Sequence, residues 1–328
     1  MGVRMVDVSA KEEVYREATA EGLLRLDPGL ARVVAREGFV GLGNVEAAVS
    51  VASIMAVKRA WEYLPLLHPI PITYSSAEVS YGEDYIKLRV TARTIAQTGV
   101  EMDALFGLTI GLITAWNVVK ARHCTCGPGG NCEVSPGGTI EEAVGIGDIK
   151  GIESIRVVSK VKGSKVVDSQ VSDAKQPKAP PLVTLFDASE EPLYKGLAEA
   201  VGFIRLREGT IKLIRGGLVE KGDPLSAAQV AAIMVAKRSH ELLPLVHQNY
   251  VTHVSVGFDV LDGGVSVRVV VKNISRTGSA MEALLAASTA LLTIWDMVKK
   301  YEKDENGQYP YTEVSYVKLV KSVKVPAQ

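Results

Sequence analysis

Several groups of ionisable residues stand in this chain at spacings that could do acid–base work on an anion. Lys221-Gly222-Asp223-Pro224 sets a lysine at a helix start, where Asp223 suits the N-cap and Pro224 the first helical position. Free N–H groups and partial positive charge make such a start attractive to anions. A solvated loop lysine beside an ordinary cap explains the same four residues. Asp296 and Lys299 stand at i and i+3 near the end of a very apolar run. On a surface they would only support the helix modestly; buried, the carboxylate would keep the lysine charged until it donates its proton. Glu101 and Asp103 flank Met102. Thr98-x-x-Glu101 is a capping-box pattern, which accounts for Glu101 but not for Asp103. His68, followed by Pro69, reads first as a structural hydrogen-bonder. Lys58-Arg59 and Lys237-Arg238 are mid-helix basic pairs, one member of which could line an anion site.

These residues belong to a pattern that occurs twice. Lys58 and Lys237, His68 and His247, and Met102 and Met281 are each 179 positions apart. The chain is therefore a tandem duplication of one domain, with units far longer than those of a solenoid. Repeat 1 covers residues 1–162, 163–181 form a polar linker, and repeat 2 covers 182–328. Within each repeat the periodicity predicts one order. Helix Val45–Tyr63, hairpin strands Ile72–Tyr81 and Tyr85–Thr94, long helix Thr98–Arg122 and strand Ile152–Val161 match Pro224–Leu242, Val251–Asp259, Val265–Lys272, Thr277–Tyr301 and Thr312–Val320. This order predicts an α+β sandwich with helices on one face of an antiparallel sheet.

The two copies differ in their polar residues. Leu42 stands opposite Lys221, Asn117 opposite Asp296, Ala280 opposite Glu101, and Lys195 opposite Arg16. Repeat 1 alone carries an insertion, residues 123–145, with Cys124, Cys126 and Cys132. Its spacing is not a standard zinc pattern; a Gly/Pro loop with free or paired thiols and a metal loop both stay open.

Composition narrows the function. Lys and Arg total 37 of the 328 residues, as do Asp and Glu, so no basic excess marks a nucleic-acid or membrane-surface binder. A hydrophobic content of 47% predicts large buried interfaces. Ala104–Val119 and Ala283–Trp295 read as too short to cross a bilayer and as helices buried all round. Val3–Ala20 is charged throughout, so no secretory leader and a cytoplasmic location are expected.

Met5-Val6-Asp7-Val8-Ser9-Ala10-Lys11, Ala56-x-Lys58-Arg59-x-Trp61, Leu64-Pro65-Leu66-x-His68-Pro69 and Thr98-Gly99-Val100-Glu101-Met102-Asp103 resemble the MoaC-type cyclic pyranopterin monophosphate synthases of molybdenum cofactor biosynthesis. Repeat 2 resembles them through Lys221-Gly222-Asp223 and Thr293-Ile294-Trp295-Asp296-Met297-Val298-Lys299. The resemblance implies a ferredoxin-like fold in each repeat, paired as a pseudo-dimer, and a homotrimer of chains equivalent to the family's six-domain assembly. It implies a lyase acting on a GTP-derived cyclic triphosphate, with pyrophosphate released. It implies no required cofactor and leaves Mg²⁺ with the triphosphate open. By motif, Lys221 and Lys299 are the acid/base lysines and Asp296 orients Lys299. His68, Glu101, Met102 and Asp103 are substrate-side residues, and Arg16 and Lys58 are anion contacts. Leu67 and Val246 depart from the family, which has cysteine before the histidine. Because the losses are complementary, one working site shared between the repeats is expected, opposite a dead mirror site. The alternative is a catalytically dead homologue that binds a pterin or nucleotide, or scaffolds a partner.

Overall fold

The computed structural model describes residues 2–40, 42–120, 140–141, 149–163 and 183–327. The cysteines and almost all of the expected linker lie outside these residues. Repeat 1 forms β1 (Val14–Leu26), α1 (Pro28–Glu37), the short strands β2 (Phe39–Val40) and β3 (Gly43–Asn44), α2 (Val45–Arg59), β4 (Ile72–Tyr81), β5 (Tyr85–Ala96), α3 (Glu101–Lys120), the short β6 (Ile140–Glu141) and β7 (Ile149–Lys162). Repeat 2 forms β8 (Tyr194–Arg205), α4 (Glu208–Arg215), α5 (Pro224–Ala236), β9 (Tyr250–Leu261), β10 (Gly264–Ser275), α6 (Ala280–Glu302) and β11 (Glu313–Pro326).

The main strands lie in the order β4-β5-β1-β7-β11-β8-β10-β9, and every pairing between them is antiparallel. Each repeat is thus a ferredoxin-like βαββαβ unit, as expected. The two units meet at β7 and β11, where Val314 pairs with Ile155 and Val317 with Ile152. The half-sheets become one sheet, and α3 and α6 pack together above the seam. Glu101, at the start of α3, consequently meets the end of α6.

Besides the short β2, β3 and β6, two long strands escape the periodicity argument, and they are central ones. β1 and β8 are rich in Ala, Glu, Gly, Lys and Arg, residues that favour strands little. Tertiary pairing holds β1 instead. Glu17 binds Arg93 at 2.9 Å, Glu21 binds Lys87 at 3.1 Å, and Arg25 binds Asp84 at 2.9 Å and Glu153 at 3.0 Å. The predicted first helices are shorter than expected. α2 stops at Arg59 and α5 at Ala236, and 3-10 turns over 60–62 and 239–241 complete each segment.

The long helices differ from expectation in one respect. With 20 and 23 residues, α3 and α6 are long and apolar enough to cross a membrane, contrary to the expectation from their apolar cores alone. Their apolar windows are nonetheless wholly buried, held against the sheet, the outer helices and each other. That agrees with helices buried all round.

Each repeat begins with an arm that crosses to the other. The Arg4 N–H donates to the Lys221 carbonyl at 3.1 Å, and Thr184 N–H donates to the Leu42 carbonyl at 2.9 Å. Leu42 and Lys221 are equivalent positions, so the arms repeat the pseudo-symmetry. Gly222 is required where the first arm passes. Its φ is +104°, and a Cβ there would stand 2.9 Å from the Cα of Val3.

Candidate active site

At the seam the two halves of the polar set come together. Lys221 lies just before α5. Asp223 caps that helix by accepting from the N–H groups of Leu225 and Ser226, and Pro224 follows as expected. The cap orients the lysine inward. Its Nζ donates to Asp296 Oδ2 at 2.7 Å and to the Asp296 carbonyl at 2.9 Å. One turn along α6, Lys299 Nζ stands 2.9 Å from Asp296 Oδ1. That contact is an ion pair off hydrogen-bond geometry, since Oδ1 has no hydrogen-bond partner. Asp296 therefore sits between two lysines; Asp296 and Lys221 are buried, and the Lys299 side chain is 15% exposed. The modest surface pair considered from sequence is not what the fold contains.

Repeat 1 supplies Glu101, Met102 and Asp103 from the start of α3, all buried. Glu101 is not a capping residue. Its Oε1 accepts from Lys160 at 2.8 Å and from the Tyr309 hydroxyl at 2.9 Å, with Lys303 Nζ at 3.5 Å. Lys303 and Tyr309 belong to repeat 2, so the contact crosses the seam. Glu101 Oε2 and Asp103 Oδ2 are buried without hydrogen-bond partners among the described residues.

Environment pushes like groups apart in their proton affinity. Burial favours the neutral form of Glu101, but the charges of Lys299, Lys160 and Lys303 outweigh it and hold the carboxyl well below its usual range. Burial wins at Asp103, which Glu101 and Asp296 push further up, well above the usual carboxylate range, against the opposing charge of Lys299. The lysines divide in the same way. Burial lowers Lys221 despite Asp296, whereas Asp296, Glu101 and Asp103 overcome burial at Lys299 and raise it. Burial also takes Lys303 down to about 8, within reach of neutral pH. Asp296 is held low because Lys299 and Lys221 outweigh its burial. Paired groups driven in opposite directions are suited to donate and accept protons at one pH.

Not every sequence-selected residue joins this cluster. Arg16, buried on β1, interacts electrostatically with Glu101, while its guanidinium donates to the carbonyls of Ala96 at 3.4 Å and Gln97 at 3.3 Å. His68 Nε2 lies 2.9 Å from the Val6 carbonyl and fixes the first arm. Lys58 is exposed on α2. Sequence reading missed Lys160, Lys303 and Tyr309. Tyr309 sits on the loop 303–312 between α6 and β11, where no helical or strand period reveals a buried side chain.

The mirror position is built differently. Leu42 occupies the place of Lys221 and is buried. Asn117, in place of Asp296, donates to the Leu245 carbonyl at 2.9 Å. Glu282 accepts from Ser239 and Asn249, each at 3.0 Å. Burial raises its proton affinity, and Lys120 opposes this from across the seam. The lysine–aspartate–lysine arrangement is not reproduced there.

Among the described residues, no group of three His, Cys, Asp or Glu could hold a metal ion. The cysteine motif lies outside them. A family model described as the MoaC family matches residues 5–163 and again 185–324. A probable cyclic pyranopterin monophosphate synthase of Sulfolobus acidocaldarius is 46% identical over 140 residues, covering 43% of this chain and 98% of that protein. One of Pyrococcus furiosus is 48% identical over 127 residues, covering 39% and 81%. A probable cyclic pyranopterin monophosphate synthase accessory protein of Methanothermobacter thermautotrophicus is 46% identical over 143 residues, covering 44% and 90%. Each relative is thus matched by about half of this chain.

Proposed function

We infer that this chain, which belongs to the MoaC family, is a cyclic pyranopterin monophosphate synthase. It would convert 3′,8-cyclo-7,8-dihydro-GTP to cyclic pyranopterin monophosphate and pyrophosphate in molybdenum cofactor biosynthesis. The observation that carries this reading is the meeting at one seam of acidic and basic residues from both repeats, although His68 holds the first arm instead. Lys221, Asp296 and Lys299 from repeat 2 lie in one buried cluster with Glu101 and Asp103 from repeat 1. A dead homologue would need neither half to be kept, and the convergence gives no support to it.

The chemistry follows from the charges. Forming a cyclic monophosphate from a triphosphate requires a substrate hydroxyl to attack the α-phosphorus while pyrophosphate leaves. A base must take the hydroxyl proton, and cations must stabilise the departing charge. Lys221, whose proton affinity is lowered, suits the base. Lys299, held charged by Asp296, suits the anion contact that stabilises the departing pyrophosphate. Ring opening and reclosing need the same exchange, with Asp103 as a protonated carboxyl and Glu101 as an ionised one. Lys160, Lys303 and Arg16 add positive charge for the phosphates. His68, Met102 and Lys58 remain proposed substrate-side residues on the strength of their motifs. The lysines neutralise charge without a resident cofactor, and Mg²⁺ would arrive only on the triphosphate. A cytoplasmic location accords with a nucleotide-derived substrate.

The direct test incubates the protein with 3′,8-cyclo-7,8-dihydro-GTP. Equal amounts of pyrophosphate and cyclic pyranopterin monophosphate are expected. Binding without turnover would overturn the synthase reading.

We also propose that three chains assemble. α2 and α5 expose Val51, Met55, Val230 and Met234, at equivalent positions in the two repeats and between 46% and 56% exposed. Sedimentation at the mass of three chains is expected, and a stable, active single chain would contradict it.

A further inference from the structure

Tyr309 has no equivalent among the residues selected from sequence, yet it is one of the most constrained side chains at the seam. It is 4% exposed, on the loop between α6 and β11. Its ring packs edge-on against Trp295 at 5.8 Å between centroids. Two ammonium groups face the ring, Lys160 at 5.5 Å and Lys303 at 5.7 Å. The loop is tied down on both sides. Asp304 accepts from the Gln308 N–H at 2.7 Å, and Gln308 Nε2 donates to the Lys160 carbonyl of repeat 1 at 2.8 Å. The phenol is therefore held from repeat 2 against a carboxylate of repeat 1.

That carboxylate uses its two oxygens unequally. Oε1 takes the Tyr309 and Lys160 hydrogen bonds, and Oε2 has no partner. Oε2 lies over Gly99, where any Cβ would collide with it. A buried, unpartnered carboxylate oxygen is costly unless something else pairs with it. The arrangement fixes one oxygen and leaves the other for a donor that the described residues do not supply.

We propose that Tyr309 is a positioning residue for Glu101, with its hydroxyl and Lys160 pinning Oε1 so that Oε2 is presented to a donor group of the substrate. The proposal rests on the synthase reading for what is bound, but not for the geometry. It makes the site depend on correct docking of the two repeats, because the residue that orients Glu101 comes from the other half. The charged groups facing Glu101 are Arg16 from β1, Lys160 from β7, Lys221 from the loop before α5, and Lys299 and Lys303 from α6 and its end, with Asp103 on its own helix. None of these is removed by changing the phenol.

Tyr309→Phe keeps the ring and deletes only the hydroxyl. Losing one donor to an ionised carboxylate should lower kcat about tenfold with KM little changed, and move the acid limb of the pH profile up by about one unit. The Glu101 side-chain carboxyl, followed by NMR in ¹³C-glutamate-labelled protein, should remain ionised to lower pH in wild type than in the variant. A ring that serves only packing would leave both the profile and the titration unchanged, which would overturn the proposal. If wild type gives no turnover, the synthase reading fails while the carboxyl titration still decides whether Tyr309 positions Glu101.

Discussion

Lys299→Ala is expected to lower pyrophosphate release by about 10²–10³-fold, the range for a lost donor that stabilises developing charge, whereas Lys120→Ala should keep most of the activity. The two lysines are equivalent in sequence and lie in the last turn of equivalent helices. What differs is the company each keeps. Lys299 stands 2.9 Å from Asp296, which also binds Lys221 at 2.7 Å, and it is held charged by Asp296, Glu101 and Asp103. Across the pseudo-dyad, Asn117 and Leu42 replace Asp296 and Lys221, and Lys120 faces Glu282, whose burial favours the neutral form. Lys221→Ala should behave like Lys299→Ala, because it removes the lysine with the lowered proton affinity. Steady-state pyrophosphate release from the three variants decides the matter. Equal losses in Lys299→Ala and Lys120→Ala would mean that both sites work.

Asp296→Ala should cost about 3–5 kcal/mol of stability at neutral pH, because removing one member of a buried ion pair leaves the other uncompensated. Here two lysines share the aspartate, and both would keep their charge in a largely enclosed site. The effect should depend on pH with a definite sign. Asp296 is held below its ordinary 3.8 in the folded state, so its contribution is complete above that value and is lost as pH falls through the folded value. Lys299 is raised above its ordinary 10.5, so its contribution is complete below that value and is lost as pH rises through the folded value. The gap between wild type and variant is therefore widest between these limits and narrows in acid. Denaturant unfolding across pH measures it. A gap below about 1 kcal/mol, as for an exposed pair, would show that solvent already screens the cluster.

Much of this fold was readable because duplication exposes it. The strict 179-residue offset fixed which helices and hairpins correspond, and the structure pairs those elements about one seam. β1 and β8 were hidden because their Glu, Lys and Arg become strand residues only when paired with neighbours such as Arg89 and Arg93. Lys221, Asp296, Lys299, Glu101 and Asp103 could be found because polar residues are conspicuous beside or within apolar helices. Lys160, Lys303 and Tyr309 could not, since a strand lysine, a helix-end lysine and a loop tyrosine look like surface residues until tertiary structure gathers them around Glu101. His68 shows the converse. Its motif points to substrate, and the fold uses its imidazole to hold the first arm.

The central claim is that one complete site is divided between the halves of a single chain. Chains carrying Glu101→Ala, coexpressed and co-assembled with chains carrying Lys299→Ala, test this most directly through pyrophosphate release. Each chain then carries a lesion in its own site, so the mixture should stay at the background of the separate variants. Activity recovered in the mixed assembly would mean that Glu101 of one chain works with Lys299 of another, and would contradict the account.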